Sequence, residues 1–200
     1  GTVRVACPPD AASVVLLPAV EKLFTRYPDL GVALLPGEAT LDMARRDADI
    51  ALRISRPDRG ELVAKQLGDI PWAVAGAGAL AARVASGESW QSLPWIDWCE
   101  GEGPPALRHW MKQHGGRAVL RTSHMPTQIS AASRGIGLVL LPEPSVERYG
   151  LTEVELPEGV AKDELGQEPL YLVAHRMMRQ VPRVRVVWDA LVEALSAQRV

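Results

Sequence analysis

The stretch DADIALRIS, residues 47–55, decides how the first third of the chain folds. Two carboxylates lead into the apolar run Ile50–Leu52, and the run stops at Arg53. A short apolar run between polar residues is typical of a buried strand. Three roles are open for an arginine at the end of such a strand. It caps the strand at the surface, it pairs with a local carboxylate such as Asp10 or Asp49, or it binds an anionic ligand. The surface cap is the least favoured interpretation, because the run ahead of Arg53 reads as buried.

Outward from this stretch, the first third of the chain alternates strands and helices. An amphipathic helix with Leu16, Val20, Phe24 and Tyr27 along one face precedes the second strand, and Pro18 either lies in its first turn or kinks it. The connections are long enough for parallel crossovers. The predicted strands are 3–7, 30–36 and 48–55, and a short second helix is predicted over 40–47.

The middle of the chain is richer in Trp, Pro and Gly and repeats the same style of β/α unit. A helix is predicted to begin near Pro126 and to end at Gly135, since proline suits a first helical turn and glycine a helix end. A late strand over 169–175 leads to a terminal helix with Val184, Val187, Leu191 and Leu195 on one face. The other predicted strands are 72–78, 95–99, 118–123 and 136–142, and the other helices are 79–87, 105–116 and 144–150.

Composition excludes several classes of protein. The chain of 200 residues is 47% hydrophobic and 23% charged, with a formal net charge of -2, which argues against broad attraction to nucleic acid or anionic membranes. No apolar run approaches the ~20 residues of a membrane span, and no secretory signal is visible. The chain begins with Gly-Thr, so we expect a piece of a longer protein or a mature form. Cys7 and Cys99 are expected to be reduced, with a single bridge as the minority alternative.

The sequence offers little support for catalysis. Cys7, at a strand end, is a candidate nucleophile only if a histidine activates it, and no local signature indicates this. His109 and His114 lie five apart, a poor spacing for metal ligands on a helix. The glycines at 76–78 and 135–137 lack the rest of a dinucleotide-binding or phosphate-loop motif. We therefore predict no enzyme, no metal site and no cofactor.

Several motifs occur in a specific order: DADIALR (47–53), SRGIGLVLLP (133–142) and the terminal VPRVR (181–185). Because of these motifs and their order, nearly the whole chain, from Val3 to about Leu195, resembles the effector-binding domain of LysR-type transcriptional regulators. The resemblance implies an α/β, type-2 periplasmic-binding-protein fold of two lobes joined by two crossover strands. It places lobe I at 1–74 plus 170–200 and lobe II at 75–169.

The resemblance also implies partners. Members of the family carry a winged helix-turn-helix ahead of this domain, so DNA would be contacted only through an N-terminal domain that these residues do not contain. Lobe I would form a homodimer or tetramer through the helix after Ser13 and the strand GVALL (31–35). The protein would be cytoplasmic, with no membrane partner. The partner in the inter-lobe cleft would be a small-molecule effector.

By the same resemblance, the effector lies between loops at strand ends of the two lobes. The candidate ligand-binding residues are Pro8, Pro9, Asp10, Ala11, Ala12, Ser13, Arg53, Ile54, Trp98, Cys99, Ser123, His124 and Thr127.

The roles of these residues stay open in the sequence. Arg53 either pairs with a carboxylate or phosphate of the ligand or orders its own neighbourhood, and Asp10 beside it admits a zwitterionic or polar ligand as well as a carboxylate. At least one of Ser123 and Thr127 is expected to cap the following helix. His124 reads ligand charge or is simply a half-exposed polar residue.

The tryptophans of lobe II form either an aromatic wall for the effector or part of the core. Packing in the core is expected for most of them, and Trp98 is the one predicted to face the cleft.

Two other functions are kept as alternatives. One is a free-standing periplasmic solute-binding protein of a transporter, which shares the fold. The other is a small enzyme that uses Cys7.

Overall fold

A computed structural model describes residues 1–37, 48–57 and 61–196. The chain divides into two compact units. The first unit contains Gly1–Asp69 and Glu168–Val200, and the second contains Ile70–Gln167. The predicted helix over 40–47 lies outside the described residues.

The first unit is built on a sheet whose neighbouring strands follow the order β2-β1-β3-β9. β1 is parallel to both β2 and β3, as the predicted crossovers require, and β9 is antiparallel to β3. These strands are β1 Thr2–Cys7, β2 Gly31–Pro36, β3 Ile50–Arg53 and β9 Gln167–His175. Ile50, Ala51 and Leu52 are at most 2% exposed, so β3 is the buried strand that its sequence predicts.

Helices cover this sheet through apolar faces. After β1 the chain forms a short helix α1 Pro9–Ala11, a π-helix Ala12–Leu16 and the helix α2 Leu17–Arg26. Pro18 is the second residue of α2 and follows the π-helix directly; helical residues run without a break from Pro9, so the helix does not start late at Pro18. α2 packs on the terminal helix α8 Pro182–Ser196, and α7 Arg176–Arg179 precedes α8.

The two apolar faces predicted for these helices differ in outcome. All four residues predicted on the inner face of α8 are buried, which confirms that prediction. The face predicted for α2 is wrong at Phe24, whose side chain is 41% exposed. The helix turns Ala19, Val20 and Leu23 inward instead, and Phe24 lies one residue beyond this buried stripe.

The chain passes into the second unit within one long strand, β4 Leu62–Gly76, and returns at the start of β9. The sequence predicted only the apolar end of β4, because the residues before Trp72 mix polar and apolar types without alternation. In the second unit β4 pairs antiparallel with β7 Val139–Pro142 and β8 Thr152–Glu153.

A separate parallel pair in the second unit consists of β5 Trp95–Asp97 and β6 Ala118–Arg121. Both strands are shorter than predicted. The surrounding helices are α3 Gly78–Ala85, α4 Pro105–His114, α5 Met125–Ser133 and α6 Glu143–Arg148.

Three tryptophans form the centre of the second unit's core. Trp95 and Trp110 are 0% and 1% exposed, and Trp90 meets Trp110 edge-on with ring centroids 5.3 Å apart. These residues therefore pack in the core, as expected for most of the tryptophans, and are not an aromatic wall. Within the described ranges, no helix combines the length and the apolar character that crossing a bilayer requires.

Candidate functional site

Two parallel strands of the first unit end at the same edge of its sheet. Ala6 of β1 lies opposite Ala51 of β3, so the residues after Cys7 and those around Arg53 gather at one place. In open α/β sheets, ligands bind outside the carboxyl ends of the strands. This edge is therefore the candidate ligand-contact region of the first unit.

The segment after β1 turns at once into helix. Pro8 has an extended backbone and Pro9 occupies the first helical position, where a missing N–H costs nothing. Ala11 and Ala12 are 6% and 7% exposed, and Ser13 is partly buried. Ala11 and Ala12 thus pack inward, whereas Asp10 and Ser13 keep some exposure and suit ligand contact better.

Asp10 lies in an apolar setting with a second carboxyl group nearby. Burial raises the pKa of Asp10 even though backbone N–H groups at Asp10 and Ala11 oppose this. Burial, with a further contribution from the negative charge of Asp10, raises the pKa of Glu168 to about 7. Burial and the same Asp10 charge raise the pKa of the Cys7 thiol to about 11. The carboxyl groups of Asp10 and Glu168 are therefore stabilised either by protonation or by a nearby positive group.

Glu168 is absent from the residues predicted for the site. It is the second residue of β9, far from Asp10 in sequence, and no local motif marks it. The antiparallel pairing of β3 with β9 is what brings the start of β9 toward the edge where β3 ends.

Arg53 ends β3 opposite Tyr171 of β9. The side chain is partly buried, whereas the next residue, Ile54, is 47% exposed. Asp49, one of the carboxylates proposed as its partner, accepts the backbone N–H of Arg4 at 2.8 Å. Arg53 thus ends β3 at the same edge of the sheet at which β1 leads into Asp10.

The second unit repeats this arrangement at β5 and β6. Asp97 lies opposite Arg121, and the backbone N–H of Thr122 donates to the carbonyl of Asp97 at 3.1 Å. The residues after β5, Trp98 and Cys99, therefore lie beside the turn that leads from β6 into α5. Both Cys99 and Cys7 are free thiols.

Trp98 is held beneath a glycine-containing loop. A side chain at Gly103 would meet the indole at 2.5 Å, so the loop closes tightly on the ring. Arg108 fixes the loop by donating to the carbonyls of Gly101 and Gly103 at 3.1 and 2.6 Å. The Trp98 ring also packs on the core, and its Nε1 atom is buried.

The start of α5 departs from prediction. Neither Ser123 nor Thr127 caps the helix: the N-cap is His124, and it makes no side-chain cap hydrogen bond. The capping prediction is wrong because these hydroxyls are placed otherwise. Thr127 Oγ1 pairs with His124 Nδ1 at 2.9 Å, and Thr122, not Ser123, accepts the N–H of His124 at 3.3 Å. His124 and Thr127 are exposed and Ser123 is partly buried.

The sequence analysis missed Gln128, which is 1% exposed. Its side-chain Nε2 donates to the carbonyl of Thr122 at 2.8 Å. Among the side chains that the structure describes, three buried polar atoms lack a hydrogen-bond partner: Gln128 Oε1, Trp98 Nε1 and Trp110 Nε1. Two of these residues, Trp98 and Gln128, lie near the paired ends of β5 and β6.

Two further features concern the described part of the chain. No group of three or more His, Cys, Asp or Glu within it is placed to hold a metal ion. A groove of about 870 Å³ runs along α3 in the second unit, within the size range of small-molecule sites. It contains none of the residues predicted for the site. Its lining includes Ala81, Val84, Trp90, His114, Val154 and Leu156.

A model of the family described as "LysR substrate binding domain" matches residues 1–196. The chain belongs to this family. It is therefore the effector-binding domain of a LysR-type regulator, with the type-2 periplasmic-binding-like α/β fold that the sequence predicted. A search of curated protein sequences finds no match.

Solved LysR-type regulatory domains share this fold. The CrgA regulatory domain from Neisseria meningitidis is 24% identical, with 98% of each chain covered and a TM-score of 0.78. The AmpR effector domain of Pseudomonas aeruginosa is 16% identical over 98% of this chain and 96% of that one, with a TM-score of 0.73. An effector-binding domain from Citrobacter freundii is 14% identical over 97% and 98% of the chains, with a TM-score of 0.71.

Proposed function

We propose that this LysR effector-binding domain recognises a small polar effector through the carboxyl ends of β1 and β3 in the first unit and of β5 and β6 in the second. The observation that carries the proposal is the polar chemistry at these strand ends. Glu168 lies within electrostatic reach of Asp10, Arg53 ends the neighbouring strand β3, and in the second unit Gln128 Oε1 lies buried near the turn after β6.

The charges in the first unit favour a zwitterionic or polar effector over a simple carboxylate. Arg53 attracts an anionic group, but Asp10 and Glu168 oppose a second negative charge at the same edge. A ligand that places an ammonium group beside these two carboxyl groups would stabilise their ionised forms and so offset the effect of burial, which raises their pKa. The two compact units correspond, on this proposal, to lobe I and lobe II.

We further propose that the protein assembles as a homodimer or tetramer through the first unit and acts in the cytoplasm. β2 stands at the end of the strand order and its residues Gly31 to Leu35 are all partly exposed. On α2, Leu17 and Phe24 are 48% and 41% exposed and lie seven residues apart, on one face of the helix. Exposed apolar residues on neighbouring elements are typical of an interface.

The alternatives have less support. The family match identifies a regulator domain and does not favour a transporter's solute-binding protein. An enzyme based on Cys7 would need a thiolate, but the thiol is 4% exposed and its burial raises the pKa to about 11.

A thermal-shift screen tests the proposal. The library contains amino acids, hydroxy acids, aromatic and aliphatic carboxylates, and phosphorylated sugars. A ligand at ten times its dissociation constant stabilises the domain by about 1.4 kcal/mol, which raises the Tm by roughly 3–6 °C. We expect hits among zwitterionic and hydroxylated compounds that weaken in Arg53→Ala. Hits restricted to plain carboxylates contradict the proposed effector class, and hits unchanged in Arg53→Ala return Arg53 to a structural role.

A further inference from the structure

We infer that Gln128 is a specificity-determining residue of the effector site, whose side-chain oxygen accepts a hydrogen bond from a hydroxyl or N–H group of the ligand. This inference rests on the proposed function and names the chemical group of the ligand that the second unit recognises.

The orientation of the amide follows from its one hydrogen bond. A backbone carbonyl only accepts, so the atom of Gln128 that faces Thr122 O at 2.8 Å must be the donor Nε2. The oxygen of the same amide then points the other way. Within the described part of the chain, that oxygen has no hydrogen-bond partner although the residue is 1% exposed.

A buried acceptor without a donor destabilises a folded protein. Methionine or leucine would fill a similar volume without that cost. A donor that reaches this oxygen would remove that cost, and the hydroxyl or N–H group of a bound effector would be such a donor.

The surroundings of Gln128 place this acceptor at the candidate site. Its side chain reaches back from α5, a helix of nine residues, to the turn after β6. That turn is tied to the end of β5 by the hydrogen bond between Thr122 N and Asp97 O. Nearby, His124 Nδ1 contacts Thr127 Oγ1, and the backbone N–H of His124 donates to Thr122 Oγ1. Gln128 Oε1 is a further acceptor beside this turn.

The chemical class follows. A ligand that offers only carboxylate oxygens cannot pair with Oε1, because both groups accept. A hydroxy acid, an amino acid or an amide can. Sites built to bond a substrate donor discriminate strongly against the analogue that lacks it.

Titration calorimetry with matched probes tests the inference. The probes are butyrate and 3-hydroxybutyrate, benzoate and 3-hydroxybenzoate, and succinate and malate, together with any screening hit and its analogue without the donor. In the wild-type protein we expect the donor-bearing member of a binding pair to bind at least tenfold more tightly. In Gln128→Met the ratio of the two affinities should fall to within about twofold.

Two further variants keep the test decisive. Gln113→Met makes the same substitution at an exposed position of α4 and should leave the preference intact. If Gln128→Met does not fold, Gln128→Leu removes the same acceptor at a similar volume and should also bring the preference to within about twofold.

A wild-type protein that binds both members of its pairs equally, or a preference that survives Gln128→Met, overturns the inference and leaves effector binding intact. Failure of every probe and every library compound to bind the wild-type protein contradicts the proposed function itself.

Discussion

The carboxyl group of Glu168, at the start of β9, lies within electrostatic reach of Asp10, in the helical turn that follows β1. The two are remote in sequence and belong to the same unit. Their shared burial keeps both in an environment that disfavours two negative charges. The relationship gives the strand edge an acidic character and a dependence on pH.

The first prediction concerns stability and pH. The pKa of Glu168 rises from its ordinary value of 4.5 in the unfolded chain to about 7 in the folded protein, so the folded state holds the extra proton between these values. The contribution of this group to the free energy of unfolding is therefore fully present below about pH 4.5 and is lost as pH rises through 7. Glu168→Gln should remove this loss and make the protein more stable than wild type at pH 8, by about 1–2 kcal/mol after allowance for partial exposure.

Urea unfolding at pH 5, 6, 7 and 8 measures this effect. Glu155→Gln, at an exposed position after β8, is the matched control and should follow the wild-type curve. A Glu168→Gln curve parallel to wild type at all four pH values would show that the carboxyl group titrates normally in the folded protein.

The second prediction concerns the two thiols. Cys7 is 4% exposed with a pKa raised to about 11, so it holds little thiolate at pH 8 and is shielded from reagents. Cys99 is partly buried in a turn. Iodoacetamide at pH 8 should modify Cys99 at least tenfold faster than Cys7, as followed by peptide mass spectrometry. Equal rates in the folded protein would contradict the buried placement of Cys7, and equal rates in urea serve as the control.

The third prediction concerns assembly. If the exposed face of α2 forms a dimer contact, Phe24→Glu places a charge in an apolar interface and should weaken the dimer at least tenfold. Light scattering and sedimentation measure the change. Lys22→Glu alters charge at another exposed position of the same helix and should have a smaller effect. A wild-type domain that is monomeric at high concentration would contradict the proposed interface.

The fourth prediction concerns packing behind β6. A methyl group at Gly116 would collide with the backbone oxygen of Gln91 and lie 2.7 Å from the Trp95 ring. Gly116→Ala should therefore destabilise the domain by about 1–3 kcal/mol through overpacking. Gly37→Ala meets nothing within 4 Å among the described residues and should change stability by no more than about 0.5 kcal/mol. Thermal unfolding of both variants compares them, and equal Tm values would contradict the close approach at Gly116.

Local patterns in the sequence predict most of the fold. The apolar run before Arg53 and the terminal helix are both buried as predicted. A strand buried on both faces shows a continuous apolar run, and a helix buried on one face shows apolar residues at helical spacing. Motif order predicted the family, which the match over residues 1–196 confirms. The full length of β4 was missed, since its first residues have no regular alternation.

Less of the candidate site than of the fold could be predicted from the sequence. Glu168 comes near Asp10 only through antiparallel strand pairing, and no short-range pattern records that pairing. Gln128 reads as an ordinary helical residue, and its burial is set by the packing of α5 on other elements. Trp98 was predicted at a strand end, but the loop that closes on its indole depends on the absence of a side chain at Gly103. The roles predicted for the loop residues remain predictions.

The most direct test of the proposed effector site is an amide chemical-shift map of the isotope-labelled domain, recorded during titration with a library compound that stabilises it. We predict that the largest changes fall on residues 10–13, 53–54, 98–99 and 122–128, at the carboxyl ends of β1, β3, β5 and β6. Changes concentrated along α3 and β8, in the groove of the second unit, would contradict the proposed site.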